Sequence, residues 1–145
     1  MADTGRRVDP YITSLFHVEI EGIEEAFFRE CQGLEAETEV FSYEEGGVNT
    51  YSHKLPGRTK FTNISLKRGV TESSALWEWF SDVVQGNIER KNVSVVLYDS
   101  EATEVKRWSF ERAYPVKWVG PSLKSEENAV AVETLELVHE GMTLS

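Results

Sequence analysis

Hydrophobic and polar residues alternate along most of this chain. Over 13–21, Phe16, Val18 and Ile20 alternate with His17, Glu19 and Glu21, the period-2 pattern of a strand with one face buried. Gly22 predicts a turn, and 26–31, with Phe27 and Phe28, reads as a second strand. In 34–43, Leu34, Ala36, Thr38 and Val40 lie on one side and Glu35, Glu37 and Glu39 on the other, so the carboxylate face is wet. Further strands are expected at 61–68, at the β-branched 92–98, at the aromatic-rich 105–119 with an interruption at Pro115, and at 129–139. Between the fourth and fifth strands the period changes. Leu76, Phe80, Val83 and Val84 follow helical spacing, Trp77 widens that stripe, and Trp79 falls off it, free to meet something else. Thr71 as N-cap, Glu72 in the first turn and Gly86 just past the end bound a helix over about 72–85. The expected fold is mainly β: an antiparallel β-barrel or sandwich of about six to eight strands with one flanking helix.

Two segments stand outside this pattern. Residues 1–10 read as a flexible leader, leaving 11–145 as a single domain, which suits a chain of 145 residues. Residues 44–59 contain Gly46-Gly47 and Pro56-Gly57 and no sustained period, so they read as a long loop of the kind that reaches a partner. Its most distinctive part, 54–60 (KLPGRTK), carries three basic side chains. These suit either a phosphate contact or a protein–protein arm, and the acidity of the rest favours the arm. Long strands in so small a sheet also leave border strands with unpaired backbone groups, and a ring of copies can join such borders into one closed barrel.

Charge sharpens the picture. The net charge is −10, unfavourable for general nucleic-acid binding. From Glu19 to Glu45 there are ten Glu and one Arg, and from Lys54 to Arg68 five basic residues and no acid. These are either two solvated faces or complementary surfaces on neighbouring copies. The single cysteine, Cys31, rules out a disulfide framework. No apolar run approaches the ~20 residues of a membrane span. The polar N-terminus lacks a signal-peptide core, placing synthesis and assembly in the cytosol.

Candidate chemistry is sparse. His17, His53 and His139 lie on different elements without Cys or His partners at zinc-like spacing. Phosphate-binding glycine loops and a nucleophile elbow are missing, and nothing points to a Ser–His–Asp arrangement. Successive carboxylates on one strand face stand roughly 7 Å apart, so the Glu row reads as a solvated face rather than a catalytic pair. Asn63-Ile64-Ser65 and Asn92-Val93-Ser94 match the glycosylation acceptor by chance, inside strands. Neither enzyme nor cofactor is expected. A small soluble β-barrel that binds a ligand or protein stays open as the alternative.

Several segments together carry a resemblance: Asp9-Pro10-Tyr11, CQGLEAETEV (31–40), EGG (45–47), LPGRTKFTNISLKRGVTES (55–73), LWEWF (76–80), RKNVSVVLYD (90–99), RWSFERAYPVKWVGPSL (107–123) and ETLELVHEGM (133–142). From about residue 9 to 142 the chain resembles the tail-tube family of contractile phage tails and phage-tail-like injection systems. The resemblance implies hexameric rings of this chain stacked into a hollow tube inside a contractile sheath. It implies contacts with sheath, baseplate or spike and tube-terminating proteins, and a lumen that passes DNA or protein cargo without binding it. The particle would be a virion, or an injection particle released or anchored, with no stable membrane insertion of the tube. Lumen candidates are Glu35, Glu37 and Glu39 on one strand with Asn63, Ser65 and Lys67 on a neighbouring one. Arm candidates are Gly46, Gly47, Tyr51, Lys54, Leu55, Pro56, Gly57 and Arg58.

Overall fold

The computed structural model describes residues 10–12, 15–23, 28–43, 52–126 and 128–145. The leader at 1–9, residues 13–14 and 24–27, and Gly46, Gly47 and Tyr51 lie outside them. The described elements are β1 (Phe16–Ile20), β2 (Glu30–Gln32), β3 (Ala36–Tyr43), β4 (His53–Phe61), β5 (Ile64–Gly69), α1 (Ala75–Val84), β6 (Lys91–Tyr98), β7 (Glu104–Val119), β8 (Val132–Val138) and β9 (Met142–Leu144). Every strand pair is antiparallel.

Seven strands form one sheet in the order β1-β6-β7-β8-β5-β2, with β9 added to β7. β7 organises it. Its first half pairs with β6, and its second half with β8, as in Tyr114 opposite Val138. Between them the register slips and Arg112 takes φ 53, a left-handed conformation unusual for a side-chain-bearing residue. The amide of Arg112 donates to Asn92 Oδ1 at 3.3 Å, so the bulge leaves that donor satisfied. The interruption expected at Pro115 is present, as a slip in the ladder inside one continuous strand. The proline itself is fully buried, and the slip, the second in this strand, falls before Lys117.

The bulged strand folds the sheet back so that both halves share one core. Val18, Ile20, Val93, Val95 and Phe110 from one half meet Ile64, Leu66, Leu135 and Leu137 from the other. α1 adds Leu76 and Trp79. The order leaves β1 and β2 as borders, and the barrel is not closed.

Three expectations are corrected here. Trp79, not the Val84 end of the stripe, anchors the helix: it is 3% exposed, and its Nε1 donates to the Glu89 carbonyl at 2.8 Å, whereas Val84 is 69% exposed. The helix starts after Ser74 rather than Thr71, and Glu78 is the acid of its first turn. Residues 53–59 are strand, not loop. The expected end of the helix holds, with Gly86 at φ 90 closing it.

Inside the sheet one polar pair is deeply buried. On β5 the inward positions are Ile64, Leu66 and then Arg68. Arg68 is met by Glu133, its direct partner on β8, with Nε 2.7 Å from Oε1. Trp118 Nε1 donates to the other carboxylate oxygen at 3.2 Å, and Arg68 Nη2 reaches the Ser73 carbonyl at 3.5 Å, just ahead of α1. The pair thereby ties β5, β7, β8 and the approach to the helix together.

Candidate assembly surface: a projecting ribbon and an open border

β3 and β4 form a separate two-stranded sheet. Its root lies in the main sheet, because β2 runs into β3 and β4 runs into β5. Gln32 pairs with Ser65 and Ala36 with Phe61, so a single register carries through the joint. Gly33 makes the joint possible. It sits at φ 101, and a Cβ there would lie 2.1 Å from the Asn63 carbonyl oxygen. Thr62 Oγ1 donates to Glu35 Oε2 at 3.2 Å, and His139 Nε2 donates to the Thr62 carbonyl at 3.1 Å. Beyond that root, among the described elements, β3 and β4 pack substantially only on each other.

All eight residues of β3 are exposed. Val40, Phe41, Tyr43 and Leu55 are 62%, 59%, 55% and 53% exposed. Phe41 and Leu55 are direct cross-strand partners and so project from one face of the ribbon. Phe41 lies against Gly57, where a Cβ would come within 2.6 Å of its ring. A bare two-stranded ribbon is at best marginally stable in water, and grouped exposed apolar side chains mark a contact surface.

The acidic row is not a bare carboxylate face. Glu37 stands opposite Lys60, and Lys60 Nζ lies 2.7 Å from Glu39 Oε1. Both partners are largely exposed, so the pair contributes about 0–1 kcal/mol. Ser65 and Lys67 lie half-buried on β5, Lys67 Nζ 3.5 Å from Glu30 Oε2, while Asn63 is exposed in the joint. These residues are not on a strand beside β3: β5 pairs with β2 and β8. Glu37 shares its register with Lys60 on the ribbon, whereas Ser65 and Lys67 share theirs with Gln32 and Glu30 in the main sheet. Of the arm candidates, Lys54, Leu55, Pro56, Gly57 and Arg58 all lie on β4.

Two further features escaped the sequence. One is a cleft of about 280 Å³ between the border strands β1 and β2, lined by Phe16, Cys31, Leu34, Val95, Leu97 and Trp108, with Arg29 and Glu30 at its polar rim. Burial pushes the Cys31 thiol up to about 11. The other is a polar network on the outer face of β1, β6 and β7. Arg107 bridges Glu19 Oε2 at 2.8 Å and Glu104 Oε1 at 2.7 Å, and His17 stacks on Tyr98 at 4.8 Å. Hydrogen bonds from Arg107 hold both carboxyls below their usual range. Val96, flanked by His17 and Arg107 in the sheet, is fully buried. A lone apolar residue in an outward-facing row gives no sequence signal of such cover.

The family model of the T4-like virus tail tube protein gp19 aligns with residues 13–143. The chain belongs to this family. No curated protein matches the tail tube chain. Among solved structures, it is similar to a chain of the anti-feeding prophage baseplate, from a 6-fold symmetrised cryo-EM structure. The two are 27% identical, the match covers 96% of this chain and 97% of that one, and the TM-score is 0.83. A chain of the anti-feeding prophage tube-terminating cap is 26% identical, with 100% and 99% covered and a TM-score of 0.84. Hcp1 from Flavobacterium johnsoniae is 21% identical over 90% and 94%, with a TM-score of 0.58, a likeness of fold alone. The tail tube family is a family of structural proteins, and this chain is a tail tube protein of contractile, phage-tail-like systems.

Proposed function

We propose that the chain is the repeating subunit of a hollow tube, assembled in the bacterial cytoplasm as stacked six-membered rings and enclosed by a sheath. The observation that carries this reading is the ribbon: eight-residue β3 exposes both its faces, and Val40, Phe41, Tyr43 and Leu55 near its outer end are each more than half exposed. A monomer gains nothing from such an arm, whereas a stacked assembly buries it. The open borders at β1 and β2 point the same way, since repetition in a ring covers edges that one copy leaves bare.

In this reading the β3–β4 ribbon is the arm between copies. Glu35, Glu37 and Glu39, with Asn63, Ser65 and Lys67, face the lumen. Such a wall does not retain a passing polyanion, consistent with the net charge of −10. The tube acts by shape and rigidity and performs no chemistry on its cargo.

The test is direct. The purified chain, concentrated alone and co-expressed with its sheath, is examined by negative-stain microscopy and size-exclusion chromatography. Hollow tubes with six-fold end views are expected from the parent chain. A variant with 37–60 replaced by a short turn is expected to elute as a folded monomer. A parent that stays monomeric at high concentration refutes the tube reading, and a ribbonless variant that still polymerises refutes the arm.

A further inference from the structure

We propose that the apolar cleft between β1 and β2 is the socket for the ribbon tip of a second copy, with Phe41 and Leu55 inserted between the two border strands. This rests on the reading of the ribbon as an arm between copies and names the site that receives it.

Geometry excludes the chain's own tip. The ribbon is rooted in β2 and β5, so one lip of the cleft is its own base. From there β3 runs on for eight residues, roughly 27 Å at strand rise, and among the described elements packs substantially only on β4. A tip that far from its root meets another molecule's cleft. Size agrees. An apolar cavity of about 150 Å³ holds one benzene ring, so about 280 Å³ takes the Phe41 ring and the Leu55 side chain together. Those two side chains share one ribbon face. The walls they meet are apolar: Phe16, Leu34, Leu97 and Trp108. Charge agrees as well. β4 carries Lys54 and Arg58 beside the tip, and Glu30 stands at the rim of the cleft on β2. The acidic and basic stretches of the sequence thus meet on neighbouring copies.

Cys31 lines the cleft and is the chain's single cysteine, which makes it a built-in reporter. Parent chains doped with a minority of Phe41→Cys or Leu55→Cys chains, so that most ribbon tips stay intact, are assembled and oxidised with diamide at alkaline pH, then run on a non-reducing gel. Each new disulfide joins a ribbon thiol to Cys31 of another copy, and diamide takes up the two electrons and two protons. Both variants alter exposed residues, and thermal melts check that they fold. A covalently linked pair of chains is expected, abolished by Cys31→Ser in every chain and absent from Val130→Cys, which places the new thiol at an exposed position away from the tip. Tubes that assemble normally but give no linked pair overturn the socket and leave the arm standing. A ribbonless variant that still forms tubes overturns the arm and the socket with it.

Discussion

Replacing Arg68 by Met while leaving Glu133 in place is expected to cost most of what the fold can spare. The Arg68 side chain is 2% exposed and that of Glu133 8%, so neither charge reaches water. In R68M, Glu133 keeps, among the described residues, the Trp118 Nε1 donor at 3.2 Å, and the Ser73 carbonyl loses its contact with the guanidinium. Breaking a buried pair by removing one partner costs about 3–5 kcal/mol, because the other charge stays behind unpaired. At roughly 2–4 °C per kcal/mol for a domain of this size, the melting temperature falls by about 6–20 °C. Restoring neutrality reverses most of the loss. The double variant R68M/E133L leaves neither member of the pair behind and is expected within about 2 kcal/mol of the parent, far less than the sum of the two single losses, so the double-mutant cycle shows strong coupling. The assay is urea unfolding followed by tryptophan fluorescence, in dilute protein, because assembly would raise apparent stability by mass action. If R68M loses less than about 1 kcal/mol, or if E133L adds to the damage instead of relieving it, the pair is not the lock described above.

Four other outcomes follow from the same contacts. Trp79→Phe removes the donor to the Glu89 carbonyl and part of the ring volume, and is expected to lose about 1–3 kcal/mol in the same urea assay. Gly57→Ala pushes the Phe41 ring aside and, at about 1.4 kcal/mol of lost contact, raises the critical concentration for tube formation roughly tenfold with little change in the melting of the dilute subunit. Arg107→Gln frees Glu19 and Glu104, so their carboxyl titrations followed by NMR move up toward the ordinary value. In the parent the stabilisation from these lowered values is present above the usual 4.5 and fades as pH falls through the folded values. The Cys31 thiol works in the opposite direction: its stabilising effect is intact below the ordinary 9.0 and is lost as pH rises toward about 11, a slope that Cys31→Ser should remove.

Where one face of a strand is buried, the sequence announces it. β1, β5 and β8 read directly from alternation, with Val18 and Ile20, Ile64 and Leu66, and Leu135 and Leu137 pointing inward. β4 does not, for a physical reason. A ribbon with both faces wet has no burial period to display, and Pro56-Gly57 imitates a turn. In a two-stranded ribbon a proline's missing N–H need not cost a ladder bond, and Gly57 makes room for Phe41. The acidic row on β3 was legible as exposed, but its partner Lys60 became visible only through the cross-strand register. Trp79 was missed because a stripe drawn through Phe80 and Val84 ignores which side of the helix meets β7. The cleft has no local signature at all. Phe16, Leu34 and Trp108 are far apart in sequence and converge only when bulges at Arg112 and after Pro115 curl the sheet.

That curl gives the subunit a spine. β7 spans 16 residues and is bonded to β6 on one flank and to β8 and β9 on the other. A force applied along its axis shears many rungs at once, since all share the load. A force applied at the free end of the β3–β4 ribbon peels its rungs one after another. A column built from such units and thrust endwise would therefore give way at the joints between copies long before any barrel tore along its own longest strand.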